Sequence, residues 1–161
     1  KKIMKPIVMR ISTALTMLCM TAMMFAQMPE PVKCKTSWTI LNDSVGELRI
    51  AATIDKGWHV YSTELEDGPT AAILVIENME GAHPKGKLAF EGKEIAKFDE
   101  MFGMEVRYFE EMVTFVQQFI IEKPDYKVSG YFQYGACDDE SCMPPTDVAF
   151  KIPMPTSNKK Q

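Results

Sequence analysis

The amino-acid sequence predicts an all-β fold, an immunoglobulin-like β-sandwich of about seven to nine strands, from three observations. Apolar and polar side chains alternate with a period of two along several segments after Lys33, as expected of half-buried strands. Turn-forming residues separate these segments at short intervals. No segment in the same region has the apolar spacing of an amphipathic helix. A β-barrel is the main alternative fold.

The first two strands are predicted on either side of a polar turn at residues 42–44. Trp38 lies in the strand before this turn, and residues 48–54 of the strand after it are apolar at every second position. Residues 72–76 form a continuous apolar run, which favours a strand buried on both faces, and residues 79–86 are predicted as a loop because they contain Gly and Pro. Further strands are predicted within residues 87–90, 94–98, 106–121, 127–137 and 146–152.

A third strand is predicted directly after Gly57. Because side chains alternate between the two faces of a strand, Trp58 and Val60 face one way and His59 and Tyr61 face the other. The alternation therefore places His59 and Tyr61 on a common surface.

Residues 1–26 have the three-part pattern of a secretory signal peptide. Four basic residues precede an apolar stretch, and cleavage is predicted after Ala26. A retained membrane anchor is the alternative, although the stretch is short for a spanning helix. Cys19 lies in this leader and is predicted to be removed with it. The rest of the chain is divided into three parts: a linker at 27–33, the folded domain at 34–153 and a polar tail at 154–161.

The charge of the chain changes sign after this leader. Residues 1–26 hold four of the 18 Lys and Arg residues and none of the 22 Asp and Glu residues, so the remainder carries 14 against 22, a net charge of −8. An acidic surface repels phosphate backbones and anionic lipid heads, which argues against nucleic acid as a partner. No later apolar run approaches the length of a membrane span. An exported protein without a membrane span after signal removal is expected.

A close cysteine pair is the feature most informative about chemistry. Cys137 and Cys142 flank four polar residues that form a turn, and Pro144 and Pro145 follow in an extended exit. Facing positions at the base of such a hairpin have Cα atoms about 5.5 Å apart, within the range that a disulfide requires. Cys34 makes the count of mature cysteines odd, and a buried, inert thiol or a bond to another chain are its two interpretations.

The pair has a structural and a redox interpretation. Closing so short a loop stabilises the fold by only about 2 kcal/mol, which is little for a structural staple. The acidic residues between the cysteines disfavour a thiolate, so a redox pair here would exchange quickly only with a docked partner. An inert disulfide is equally compatible with this charge pattern.

At residues 134–145 the sequence resembles the redox centre of the N-terminal periplasmic domain of DsbD-type thiol:disulfide interchange proteins, also called protein-disulfide reductases. The common features are two cysteines with a short polar spacer, followed by an apolar residue and Pro-Pro. Residues 55–61 are similar to the family's segment of Gly followed by alternating aromatic residues. Residues 99–103 lie where the family has a cap loop over the cysteines. The resemblance covers residues 38–152.

This resemblance implies specific roles for site residues. Cys142 would form the mixed disulfide with each partner, and Cys137 would resolve it. Met101 and Phe102 would form a cap that shields the pair until a partner displaces it. Four further side chains would line the site: His59, Tyr61, Asp99 and Glu100.

The resemblance also implies partners and a compartment. Family members take electrons from a thioredoxin-like domain attached to a membrane electron conductor. They pass these electrons to periplasmic thioredoxin-like clients, such as disulfide isomerases and cytochrome c maturation factors. A protein-disulfide reductase component in the periplasm of a Gram-negative-type bacterium is therefore expected, with no cofactor beyond the redox-active disulfide. The membrane and thioredoxin-like domains of full-length members would come from separate proteins or from further sequence.

Three departures from the family pattern affect the site. The spacer has four residues rather than five, which changes the turn between the cysteines. Met101 takes the place of an aromatic cap residue. His59 replaces a tyrosine, which would add pH sensitivity near neutrality.

Other functional classes have less support. The main alternative is a non-catalytic immunoglobulin-like binding module in which the same bridge is structural. No Ser/His/Asp pattern indicates a hydrolase. A zinc site built on Cys137 and Cys142 lacks the usual cysteine spacing and a clear fourth ligand, so no metal is expected. His83 is predicted to be a solvated loop residue.

Overall fold

The computed structural model describes residues 30–65, 68–100 and 102–153, and within these ranges all helical or strand structure is β-strand. The predicted signal peptide, most of the linker, the polar tail and Met101 lie outside the described residues. The strands of the described residues are β1 (Val32–Asn42), β2 (Val45–Ile54), β3 (His59–Tyr61), β4 (Ile73–Glu80), β5 (Ala82–Glu91), β6 (Ile95–Asp99), β7 (Met104–Phe109), β8 (Met112–Ile121), β9 (Lys127–Tyr134), β10 (Ala136–Cys137) and β11 (Thr146–Ile152).

These strands form three antiparallel sheets. Four strands are ordered β1-β2-β8-β5, three are ordered β11-β9-β4, and four short strands are ordered β10-β3-β7-β6. The first two sheets face each other across a shared apolar core, so the prediction of an all-β, immunoglobulin-like sandwich is confirmed. No helix among the described residues has the length and apolar character needed to cross a membrane.

The main core draws its side chains from both large sheets. In β2 the predicted alternation holds, and Leu48 and Ile50 are fully buried. Phe115 of β8 packs its ring 4.7 Å from that of Phe132 in β9 and 5.8 Å from that of Phe109 in β7. Burial of aromatic rings at this spacing supplies both apolar area and edge-to-face contact. We call this set the main core; its largest fully buried members are Leu48, Ile50, Phe109, Phe115, Phe119, Phe132 and Ile152.

The prediction for residues 72–86 was wrong in two respects. The apolar run is the start of β4, an edge strand of its sheet, and Ile73 is 42% exposed rather than buried. The segment predicted as a loop is strand on both sides of a turn at Gly81. Pro84 is compatible with strand structure here because β5 is an edge strand, where a missing N–H costs no ladder bond on the open side. His83 is exposed as predicted, but it lies in β5, and its Nδ1 is 3.1 Å from a carboxylate oxygen of Glu122.

The strand count exceeds the prediction because two predicted segments are divided. Residues 106–121 contain the end of β7, a tight turn at Glu111 and all of β8. Residues 127–137 are interrupted at Gly135, where the chain leaves β9 and enters β10 in a different sheet. A Cβ at Gly135 would lie 2.7 Å from the carbonyl oxygen of Thr70, so only glycine allows this close approach.

The small sheet has two covered faces. Val60 of β3 and Phe109 of β7 lie opposite each other and are buried in the main core. Their neighbours Tyr61 and Tyr108 lie opposite each other on the reverse face and belong to a second, smaller cluster with Val106. The same strands therefore contribute to the main core and present a separate surface on the other side.

Candidate redox site

A disulfide joins Cys137 at the end of β10 to Cys142 across a four-residue turn. The backbone N–H of Asp138 donates to the carbonyl of Ser141 at 2.9 Å, and that of Met143 donates to the carbonyl of Ala136 at 2.9 Å. The two cysteines thus face each other between hydrogen-bonded pairs, the arrangement in which opposite Cα atoms come closest. Their Cα separation is 4.0 Å, shorter than the predicted 5.5 Å, which applies to a hydrogen-bonded pair.

Asp138 shapes the turn between the cysteines. Its Oδ1 accepts hydrogen bonds from the backbone N–H groups of Glu140 at 2.9 Å and Ser141 at 2.7 Å, and from the Ser141 hydroxyl at 3.2 Å. These hydrogen bonds hold the pKa of Asp138 below its ordinary value. The carboxylate therefore stays charged beside the disulfide and fixes the loop as an Asx-type turn.

The two sulfur-bearing residues differ strongly in burial. Cys137 is 3% exposed and packs with Tyr61, Val106 and Tyr108, whereas Cys142 is exposed. We call the surface formed by Tyr61, Val106, Tyr108 and Cys137 the site face. An incoming reagent therefore meets the Cys142 side of the bond before the Cys137 side.

β3 places His59 against the disulfide. His59 is directly opposite Cys137 in the antiparallel pairing of β3 and β10, while Val60 is opposite Ala136. Its Nε2 lies 3.1 Å from the hydroxyl of Tyr61, and its ring centroid is 4.7 Å from that of Tyr108. The predicted grouping of His59 with Tyr61 on one surface is therefore observed, on the same side as the disulfide.

Burial and nearby carboxylates act in opposite directions on His59. Burial lowers the pKa of His59, and the negative charges of Asp99, Glu110, Asp139 and Asp138 partly oppose this shift. The imidazole is therefore mostly neutral at neutral pH.

Burial raises the pKa of Tyr61 to about 12, with further contributions from Asp99 and Tyr108. Tyr61 consequently keeps its proton throughout the physiological range.

The segment between β6 and β7 contributes Phe102 to the site face. Asp99 forms its first turn: its Oδ1 accepts a hydrogen bond from the N–H of Phe102 at 3.2 Å, and its carbonyl accepts one from the N–H of Gly103 at 2.8 Å. Gly103 has a φ of 65°, the left-handed conformation that favours glycine. Phe102 is half-buried, with its ring 6.2 Å from that of Tyr61 and nearly perpendicular to it. Phe102 thus packs on the site face, while its role as a cap over the disulfide stays a prediction, and Met101 is outside the described residues.

A pocket of about 390 Å³ lies next to His59, between the end of β6 and the turn at Asp138, and neither cysteine of the pair is among its lining residues. It contains three of the predicted lining residues, His59, Asp99 and Glu100, whereas Tyr61 is not in its lining and belongs to the buried site face. The remaining lining residues are Gly57, Lys97, Phe98, Val106, Tyr108, Glu110, Asp138 and Asp139. The charged side chains in this pocket are mostly acidic.

The sequence prediction missed Val106 and Tyr108, which form half of the site face. Both occupy alternate positions of β7, so its period-two pattern marks a common face. That this face lies against β3 depends on a pairing that local sequence does not encode. Within the described ranges, the site included, no group of three or more His, Cys, Asp or Glu side chains is arranged to hold a metal ion.

Cys34 lies in β1, away from the disulfide pair. It is half-buried rather than fully buried as predicted. Burial raises the pKa of its thiol to about 11, although a hydrogen bond with Tyr134 acts in the opposite direction. The thiol is therefore protonated and weakly nucleophilic at neutral pH, in keeping with the interpretation as an inert thiol.

The fold and site define a class: a β-sandwich domain that carries a disulfide in a hairpin at the edge of a small third sheet. Residues 27–153 match the family model of the N-terminal domain of the thiol:disulfide interchange protein DsbD. The chain belongs to this family.

Comparison with solved structures finds related folds. The N-terminal periplasmic domain of ScsB from Proteus mirabilis matches with a TM-score of 0.56 and 12% identity, covering 78% of this chain and 48% of that one. This chain therefore spans about half the length of that structure. The N-terminal domain of Neisseria meningitidis DsbD in the reduced form matches with a TM-score of 0.45 and 18% identity, covering 73% of this chain and 82% of that one. Comparison with curated protein sequences found no significant match.

Proposed function

We propose that this chain is an exported thiol:disulfide exchange domain that relays electrons through the Cys137–Cys142 pair. The observation that carries the proposal is the asymmetry of the disulfide, with one exposed and one buried residue, in a member of the DsbD N-terminal domain family. A carrier needs one sulfur that partners can reach and a second, shielded sulfur that resolves the mixed disulfide.

The exchange proceeds in two halves. A thiolate of the upstream reductase attacks Sγ of Cys142, the bond between Cys142 and Cys137 breaks, and Cys137 leaves with the electron pair. A second thiol of the reductase then releases Cys142, so the domain holds two thiols. In the second half, Cys142 attacks the disulfide of an oxidised client and Cys137 displaces the client as a dithiol. The domain regains its disulfide.

The proposed partners follow from the family. The upstream reductant is a thioredoxin-like domain of a membrane electron conductor, and the clients are oxidised thioredoxin-like proteins of the periplasm, including cytochrome c maturation factors. The proposed location is the periplasm of a Gram-negative-type bacterium, reached by way of the predicted signal peptide. No cofactor takes part beyond the disulfide.

The cap supports selectivity in this scheme. Phe102 packs over Tyr61, which shares a cluster with Cys137, so the β6–β7 loop restricts access from that side. The acidic groups around the pocket disfavour a thiolate at the pair and slow its reaction with unselected thiols. A docked partner that displaces the loop would react fastest.

The deciding experiment is the reduction potential of the pair, measured by equilibration in thiol/disulfide buffers with alkylation and mass counting. A value between about −180 and −270 mV, with rapid exchange on addition of reduced thioredoxin, is expected of an exchange-active couple. A value below about −300 mV without exchange would instead identify a structural bridge and favour a binding module.

The roles of the two sulfurs can be separated in a Cys34→Ser background. With Cys137→Ser, Cys142 should form a mixed disulfide with thionitrobenzoate. The attacking cysteine of a thioredoxin that lacks its second active-site cysteine should then displace thionitrobenzoate and remain bonded to Cys142. The matched variant Cys142→Ser retains only the buried Cys137 and should form this complex far more slowly. Equal trapping by both variants would contradict the assigned roles.

A further inference from the structure

His59 lies close to the disulfide but has no role in the exchange steps proposed above. It is one of only two histidines in the sequence, and it lies directly opposite Cys137 in the pairing of β3 with β10. Directly opposed residues of antiparallel strands have Cβ atoms about 4.5–5.5 Å apart, on the same face of the sheet. The imidazole and the buried sulfur are therefore neighbours.

Cleavage of the disulfide places an unfavourable negative charge on this buried sulfur. When Cys142 is attacked, Cys137 leaves as a thiolate, although it is only 3% exposed and packs among apolar and aromatic side chains. Burial disfavours the charged form, and so do the carboxylates of Asp138 and Asp139 in the adjoining turn. A nearby proton donor would remove this obstacle to bond cleavage.

Among the titratable groups in this region, the imidazole of His59 is the one suited to donate and recover a proton. Tyr61, with a pKa raised to about 12, holds its proton too firmly to release it. The titratable groups that face His59 from its own strand and from the elements packed against it are Tyr61, Lys97, Asp99, Glu100, Tyr108, Glu110, Asp138 and Asp139. Burial favours the neutral imidazole and four of these carboxylates favour the imidazolium, so the neutral form predominates at neutral pH and the share of imidazolium grows as the pH falls.

We infer that His59 donates a proton to Sγ of Cys137 when the disulfide opens and takes it back when the disulfide re-forms. In the opening step, the reductant thiolate bonds to Cys142, the Cys137–Cys142 bond breaks, and the electron pair on Cys137 takes a proton from the imidazolium, which becomes neutral. In the closing step, neutral His59 removes the proton from Cys137, which attacks the mixed disulfide at Cys142 and expels the client thiolate. The inference rests on the proposed exchange function and assigns His59 as its acid and base.

The local geometry orients the ring for this role. Nε2 of His59 lies 3.1 Å from the Tyr61 hydroxyl, and the imidazole ring packs against the ring of Tyr108. These contacts restrain the imidazole on the strand position opposite Cys137. The residues around His59 thus act as positioning residues, and His59 itself lies directly opposite the reacting cysteine.

The test is the rate at which dithiothreitol reduces the disulfide between about pH 5 and pH 8, in the wild type and in His59→Gln. Dividing one rate by the other cancels the changing thiolate fraction of the reagent. His83→Gln is the matched control, because His83 is exposed in β5 and lies outside the pocket. Dithiothreitol needs no biological recognition, so this profile can be measured even if exchange with thioredoxin fails, and the two failures remain distinguishable.

We expect the wild type to react about tenfold or more faster than His59→Gln at the acidic end, with the ratio falling towards unity as the imidazolium is lost. The pH at which the ratio falls should match the titration midpoint of His59 measured by NMR on the wild type. A ratio that stays constant over this range, or an equal effect of His83→Gln, would overturn the inference.

The inference can still be tested if the His59→Gln variant does not fold. If His59→Gln unfolds, the wild-type rate corrected for reagent thiolate must still change slope at the His59 midpoint. A corrected wild-type rate without this change would overturn the inference in the same way.

Discussion

The main core and the site face lie on opposite sides of the same short strands, and their composition differs. The main core is built mostly from aliphatic side chains and phenylalanines, with ring contacts such as that between Phe115 and Phe132. The site face consists of two tyrosines, a valine and Cys137, with His59 at its border. The side chains that stabilise the fold and those that surround the disulfide thus lie on opposite sides of a single layer of strands.

This separation teaches how a small β-domain can hold a reactive bond. β3 and β7 are anchored from behind by Val60 and Phe109, which are both fully buried. The anchoring allows polar-tipped and titratable side chains on the front, where they would weaken a core. Substitutions on the two sides should therefore have different signatures.

Phe115→Ala should have the largest effect on stability. Phe115 is fully buried between Phe109 and Phe132, and truncation of such a ring costs about 3–5 kcal/mol of unfolding free energy through lost transfer and a residual cavity. Urea unfolding followed by intrinsic fluorescence measures the cost. A loss below about 1 kcal/mol would show that the main core does not carry the stability assigned to it.

Replacing both cysteines of the pair by serine should affect stability less and exchange completely. The loop they close is short, so the expected loss is about 2 kcal/mol, whereas thiol transfer to thioredoxin disappears. The same unfolding assay and an alkylation assay measure the two quantities. If this double variant were destabilised as much as Phe115→Ala, the bridge would have to be regarded as part of the stabilising core.

Phe102→Ala should open the site face with a modest cost in stability. Phe102 is half-buried against Tyr61, so its removal should cost about 1 kcal/mol and raise the rate of disulfide reduction by dithiothreitol several-fold. Phe98→Ala is the matched control, because Phe98 is nearby in β6 but 61% exposed. A similar acceleration in both variants would assign the effect to loosening of the β6–β7 region rather than to the cap.

The smallest effect is expected at Cys34, in the main sandwich. With its pKa raised from 9.0 to about 11, its thiolate population at pH 8, and with it the rate of alkylation by iodoacetamide, should be about 100-fold below that of an ordinary thiol. Because the folded-state pKa is the higher one, its contribution to stability is present below pH 9 and is lost as the pH rises towards 11. Alkylation in urea should restore the ordinary rate; a fast reaction in the native state would place the thiol in a more open environment.

Local pattern was sufficient for much of the sandwich. The alternation in β2 and the bounds of β11 follow directly from apolar spacing, since each strand has one buried face. β4 and β5 were misjudged because edge strands tolerate exposed apolar residues and proline, which in a central strand would indicate a loop.

Several residues of the site could be predicted from the sequence, but the strand pairing that brings them together could not. Spacing alone indicated the Cys137–Cys142 bridge, and strand alternation grouped His59 with Tyr61. The position of His59 opposite Cys137 depends on pairing between strands distant in the sequence, which no local signal specifies. Tyr108 was missed for the same reason, because β7 comes to lie beside β3 only through the tertiary fold.

The two-residue strand β10 has one further consequence, for insertions and deletions. Ala136 is buried in the main core and Cys137 in the site face, so neighbouring residues serve opposite sides of the sheet. A one-residue slip in register exchanges the two faces of a strand. Loss of one residue at Gly135 would place Cys137 opposite Val60, facing the main core, and Asp138 opposite His59, whereas gain of one residue would place Ala136 opposite His59. The distance in sequence from Tyr134 to Cys137 is therefore as much a determinant of the redox site as the cysteine itself.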